Sequence, residues 1–372
     1  MIWIHCGTDN EIRATCSLVN RLAEGCDASE VLITTLNETF EAFDDLPAGT
    51  TIVQIPAETQ AKTRAFLDSF APESLIWNGG TLRPVLLRAV AQDGMRATLI
   101  NANAETLIPR AARWMPRAAR TAVAAFDHIL TANGATATRL IRGGVARDRV
   151  QATGPILEDP MPLPHDQYEL TVMAEALDTR PVWFAADILA QEVAPIAAAH
   201  IAASRKSHRL LLLITPRDLS RGPQFAGMLR ENGLKVGVRS DGDDPEQEHQ
   251  VYIADLPNEL GLWYRIAPLT FLGATLSGGE DAASPFDPVL LGSAVVHGTF
   301  RAPHTARFER LAKTEACREV RSASELGIAV STLISPEHTA RMALAGWEEI
   351  TRNAETINHL IKLALGTGER TR

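Results

Sequence analysis

Short apolar runs alternate with amphipathic stretches through the first half of this chain. Residues 2–6, 31–35, 51–55, 75–78, 97–101 and 128–132 are each bounded by polar or turn residues, the pattern of strands in a parallel sheet covered on both faces. Between the first two, residues 12–23 put Ile12, Cys16, Val19 and Ala23 on one helical face. Strand–helix alternation sustained over about 150 residues predicts a doubly wound α/β domain.

The alternation breaks at Pro155-Ile-Leu-Glu-Asp-Pro-Met-Pro-Leu-Pro164, whose prolines exclude a regular helix or a central strand. It then restarts, with strands predicted at 181–186, 210–215, 235–238, 251–254, 269–274 and 294–297. Residues 336–365 carry a long helical pattern. The reading is an N-terminal Rossmann-like domain (1–158), a linker (159–175) and a second Rossmann-like domain with a C-terminal helix (176–372). Open α/β sheets bind ligands at the carboxyl ends of their strands, so a cleft between two such doubly wound domains is the expected site.

Composition adds mainly exclusions. A chain of 372 residues is long enough for two cores. Its net charge of -9 gives no global basic field for nucleic acid. Cys6, Cys16, Cys26 and Cys317 form no CxxC pair and have no His at ligand spacing. They read as thiols of a reducing compartment, with neither a disulfide frame nor a metal site expected. Met1 leads straight into the first apolar run, without the basic segment of a signal peptide, and no run reaches the ~20 apolar residues that span a bilayer. A cytoplasmic protein is expected, with membrane contact at most peripheral.

Specific segments narrow the class. In the second domain, Arg180-Pro-Val-Trp-Phe-Ala-Ala186 is followed by Leu211-Leu-Leu-Ile-Thr-Pro-Arg217, Asn258-Glu-Leu-Gly-Leu-Trp-Tyr264 and Phe271-Leu-Gly-Ala-Thr-Leu276. Ser284-Pro-Phe-Asp-Pro288 and Pro303-His-Thr305, with Phe308 beyond, complete the series. In this order and spacing the segments resemble the 3-deoxy-manno-octulosonate (Kdo) transferases of lipopolysaccharide synthesis, whose equivalents read RPVWIAAS, a strand ending in PRH, GELGLFY, FVGGSL, NPLEP and PHTFNF. In the first domain, His5-Cys-Gly-Thr-Asp-Asn-Glu11 is similar to the family's HAVSVGE. Ile100-Asn-Ala102 is similar to VNA, residues 127–132 to FDLILAQ, and Thr153-Gly154 to TGN.

The resemblance implies a GT-B glycosyltransferase fold with two Rossmann-like domains. It further implies an inverting enzyme that moves Kdo or a related ulosonic acid from a CMP-activated donor to a lipid A precursor or similar glycolipid, with no cofactor. The last Glu of HAVSVGE is the family's catalytic base, which points to Glu11. On its residues alone, Glu11 follows the first strand at a helix start, where a carboxylate either takes a proton or complements the helix terminus; neighbouring Asp9 would raise its pKa. Arg217 and the N-terminus of a helix opening near Pro285, with Gly278-Gly279 before it, are the expected phosphate-holding groups. Ser284 opens that segment, and Asp287 stands where the family has a ribose-binding Glu. Asn258, Glu259, Leu260 and Gly261 are expected beside the nucleotide base, with helix capping as the other reading of Glu259. Arg110, Arg113, Arg117 and Arg120 recur at helical spacing; that face either meets an anionic glycolipid and the cytoplasmic face of the inner membrane or is simply solvated.

Four features depart from the family. The chain starts at the first strand, without the usual hydrophobic anchor. ETELWP is replaced by Gly79-Gly-Thr-Leu-Arg-Pro84, and STHEGEE by Asp187-Ile-Leu-Ala-Gln-Glu-Val193, keeping Glu192 in register. GGHNP becomes Gly278-Gly-Glu-Asp-Ala-Ala-Ser-Pro285. A GT-B enzyme with another donor, and a catalytically degenerate sugar-nucleotide-binding paralogue, are therefore the alternatives.

Overall fold

The computed structural model describes residues 1–8, 11–25, 30–36, 46–103, 117–158, 160–352 and 354–366. The chain divides into two compact units, one of residues 1–159 with 352–372, the other of residues 160–351.

The first unit holds seven strands: β1 (Ile2–Cys6), β2 (Val31–Thr35), β3 (Thr50–Gln54), β4 (Ser74–Asn78), β5 (Arg96–Ala102), β6 (His128–Thr131) and β7 (Val150–Ala152). They pair in the order β3-β2-β1-β4-β5-β6-β7, all parallel. Alternation along β1 explains the two-sided core. Trp3 packs with Phe66, Trp77, Leu86 and Val90 on one face, while Ile2 and Ile4 meet Leu18, Val19 and Leu22 of the helix Ile12–Gly25 on the other. That second face is completed by Ile357, Leu360 and Ala364 of the last helix, Ala354–Leu365.

The second unit holds β8 (Val182–Ile188), β9 (Leu211–Pro216), β10 (Val236–Val238), β11 (Val251–Ile253), β12 (Leu269–Leu272), β13 (Ala294–His297) and β14 (Cys317–Glu319). Their order is β10-β11-β9-β8-β12-β13-β14, again all parallel. The helices Val193–Ser204 and Ala323–Leu333 bury Ile196 and Val330 against one face; Trp263, Phe286 and Phe308 cover the other.

Three organisational expectations change. The stretch expected as linker, 159–175, contains most of the helix Gln167–Leu177, started by Asp166, whose carboxylate accepts from the N–H groups of Tyr168 and Glu169. The C-terminal pattern forms two helices, Pro336–Thr351 and Ala354–Leu365. The latter was expected with the second domain, yet it groups with the first unit because its apolar stripe finishes that sheet's core. Strands β7 and β14 were not read from the sequence.

Candidate functional site

In each sheet the chain winds outward in two directions from one central strand. The reversal points lie between β1 and β4, and between β8 and β12. Ligands of open α/β sheets gather outside the carboxyl ends of strands at such points.

At the first, Cys6 of β1 lies opposite Asn78 of β4. Gly7 then donates its N–H to the Asn78 carbonyl at 2.9 Å, and Gly79 donates to the Ile100 carbonyl at 3.1 Å. The two strand ends run on in near contact: a Cβ at Gly80 would fall 2.6 Å from the Gly7 Cα. A Cβ at Gly79 would fall 2.5 Å from Glu11 Oε1. Gly79, with φ of 62°, thus leaves the space in which the Glu11 carboxylate lies, while Gly80, at 67°, lets the two strand ends approach. The Thr8 hydroxyl donates to Glu11 Oε2, and the Glu11 N–H donates to the Thr8 carbonyl at 3.1 Å. Glu11 is half-buried just before the helix Ile12–Gly25. Asp9 lies outside the described residues.

Two titratable groups of β1 lie close by, both strongly shifted by burial. Burial pulls the His5 imidazole down to about 3, despite its bond to the Thr34 carbonyl. Burial likewise pushes the Cys6 thiol up to about 12. Asn101 supports the strand ends: its amide donates to Asn78 Oδ1 at 2.8 Å and to the Ile156 carbonyl at 2.9 Å, and its Oδ1 accepts from the Ile156 N–H.

At the second reversal point the chain places a fully buried carboxylate, Glu192. Its Oε2 accepts from the N–H groups of Leu189 (3.2 Å) and Ala274 (2.8 Å), and its Oε1 from those of Leu276 (3.3 Å) and Ser277 (3.2 Å). One side chain thereby ties the loop after β8 to the loop after β12. This role was missed in the sequence because the four donors are backbone groups, which carry no sequence signature.

Arg217, just beyond β9, is brought into this region. Its Nε donates to both Asp187 oxygens at 3.1 Å, and its Nη1 to Glu280 Oε2 at 2.9 Å. Its Nη2 donates to Asp187 Oδ2 and to the Asp281 carbonyl. The Asp187 bond, ahead of that to Glu280, raises the guanidinium pKa above its usual value. Gly278 has φ of 65° and faces the Phe300 ring, whereas Gly279, at 93°, has open space where a Cβ would stand. Ser284 Oγ accepts from the Phe286 N–H at 3.2 Å, opening the helix Phe286–Leu290. At five residues this helix has little macrodipole, so an anion there would rely on local N–H groups. Asp287 lies in the same region: burial pushes the Tyr264 phenol well up, and the charges of Asp287 and Asp187 add to it.

The remaining expected residues have other local partners. Asn258 is exposed with φ of 62°. Glu259 Oε1 accepts from Arg239 Nη2 at 2.9 Å, and the same nitrogen reaches Glu169 at 2.7 Å. Leu260 begins the helix Leu260–Ile266. Gly261 seats that helix against the chain, since a Cβ there would fall 2.1 Å from the Pro164 carbonyl oxygen. Arg117 is exposed at the start of the helix Arg117–Val123; Arg110 and Arg113 lie outside the described residues.

Comparison with known proteins agrees with this architecture. A family model for 3-deoxy-D-manno-octulosonic-acid transferase (kdotransferase) matches residues 1–159. The 3-deoxy-D-manno-octulosonic acid transferase of Haemophilus influenzae is 25% identical, covering 97% of this chain and 86% of its own. That of Bordetella pertussis is 27% identical over 84% of this chain and 73% of its own. Among solved structures, MurG of Acinetobacter baumannii is similar with a TM-score of 0.51 at 11% identity, covering 98% of this chain and 99% of that one; the likeness is one of fold alone. The chain has the α/β GT-B fold, its residues 1–159 match the Kdo transferase family model, and it is similar over most of its length to Kdo transferases.

Proposed function

We propose that this protein transfers Kdo or a related ulosonic acid, with inversion, from a CMP-activated donor to a lipid A precursor or similar glycolipid. The observation that carries the reading is the Glu11 carboxylate, lodged against Gly79 near the carboxyl end of β1. Glu11 takes the proton from an acceptor hydroxyl as its oxygen bonds to the anomeric carbon. The bond from that carbon to the CMP phosphate breaks, and CMP leaves with the electron pair. Arg217 offsets the charge on the departing phosphate through charge-assisted hydrogen bonds. Gly278, Gly279 and Ser284 supply nearby backbone and hydroxyl groups, and Asp287 accepts from the ribose hydroxyls. Asn258, Glu259, Leu260 and Gly261 border the nucleotide base.

The acceptor is held at the cytoplasmic face of the inner membrane. Among the described residues no helix is long and apolar enough to cross a membrane. Contact is through cationic groups, with Arg117 joined by Arg110 and Arg113 on anionic headgroups. Two carboxylates on Arg217 favour a second reading, a paralogue that binds sugar nucleotides without transferring.

Calorimetric titration with CMP, UDP and GDP tests the donor assignment. CMP should bind best, and Arg217→Ala should weaken it about 10- to 100-fold, as loss of hydrogen bonds to a charged group implies. A preference for UDP or GDP, or an Arg217→Ala protein that binds CMP unchanged, would refute it.

A further inference from the structure

The guanidinium of Arg217 is not open to a ligand as it stands. A guanidinium presents its donors in a rigid fork, and phosphates are held best along one edge by two parallel bonds. One edge of Arg217, Nε with Nη2, is held by Asp187. The other edge, Nη1 with Nη2, is held by the Glu280 carboxylate and the Asp281 carbonyl.

The two edges differ in how firmly they are held. Asp187 leaves the end of β8, and its side chain is 24% exposed, as is that of Arg217. Glu280 is 55% exposed and lies on the loop between β12 and the helix Phe286–Leu290. Gly278 and Gly279 precede it with positive φ, and although the first packs on Phe300, nothing lies within 4 Å of where a Cβ on the second would stand; backbone rotation at Gly279 is cheap. Asp187 is therefore the fixed partner and Glu280 the exchangeable one. Charge points the same way. Two carboxylates on one guanidinium leave the cluster net negative, so an incoming phosphate is repelled until one of them withdraws.

We propose that Glu280 is a built-in competitor of the donor phosphate. It holds the outer edge of Arg217 in this structure, swings away about Gly278-Gly279 when a nucleotide phosphate takes that edge, and returns to displace CMP after transfer. The inference rests on the donor role of Arg217 proposed above. It adds that Glu280 sets how tightly nucleotide is held and how readily product leaves.

The test compares CMP titrations, at one low salt concentration, of wild type, Glu280→Gln, Glu280→Ala and Arg217→Ala. An exposed ion pair is weak, so removing the competing charge should tighten CMP about two- to fivefold in both Glu280 variants. The exposed loop position leaves the core untouched, and using two neutral side chains separates charge from bulk. If both Glu280 variants bind CMP equally or more weakly than wild type while Arg217→Ala loses binding, the competitor role is overturned and the donor reading stands. If Arg217→Ala binds CMP as wild type does, both fall together.

Discussion

Residue 79 shows how a small side chain sets up a large one. A Cβ there would intrude to 2.5 Å from Glu11 Oε1, and the backbone is held at φ of 62°. Gly79→Ala should therefore cost about 1–2 kcal/mol of stability, as an L-residue in left-handed backbone does, and also displace the proposed base. Gly49→Ala is the control, having φ of 95° but nothing within 4 Å. The expected outcome is a similar fall in melting temperature for both variants, with transfer reduced more than tenfold only in Gly79→Ala, as misplacement of a catalytic group implies. Equal transfer by the two would show that the carboxylate does not need that space. The legible part of the candidate site was Glu11, through the likeness of residues 5–11 to HAVSVGE together with its place after a strand. Its partners were harder to read: the packing of Gly79 on Glu11 joins positions 68 residues apart, and nothing local announces it. The same holds for Arg217, legible as a strand-end cation, while its partners come from elsewhere, Asp187 from the end of β8 and Glu280 from the loop after β12.

At the scale of elements, Glu192 acts as a clasp between the ends of β8 and β12. A carboxylate accepts all four N–H bonds, whereas a glutamine would turn an amide nitrogen toward donors and leave buried groups unpaired. Glu192→Gln should destabilise the second unit by about 2–4 kcal/mol, the range for breaking a buried hydrogen-bonded network, read as a lower urea midpoint at unchanged slope. A shift under about 0.5 kcal/mol, the scatter of ordinary surface changes, would mean the loops hold without it. Elements with strong apolar runs were legible because burial on both faces of a parallel sheet demands them; 2–6, 31–35 and 294–297 match their strands residue for residue. The strands β7 and β14 were not, being three residues long with exposed positions at the sheet edges. Helix Gln167–Leu177 was hidden by the prolines just before it, although Asp166 is a cap of ordinary kind.

The whole molecule is two Rossmann-like units joined twice, since the chain leaves the first at 159–160 and returns to it at 351–352. Alternation alone predicted both sheets. It did not predict the return, because an amphipathic helix such as Ala354–Leu365 does not specify which apolar face it covers. The central proposal is that Glu11 supplies the base for transfer from the CMP-activated donor. The most direct measurement is transfer of Kdo from CMP-Kdo, generated in situ, to a lipid A precursor by wild type and Glu11→Ala, with CMP affinity measured on both. The account predicts turnover by wild type, a loss of about 100-fold or more in Glu11→Ala, as removal of a general base implies, and unchanged CMP affinity. Transfer undiminished in Glu11→Ala, or CMP binding without any transfer by wild type, would contradict it.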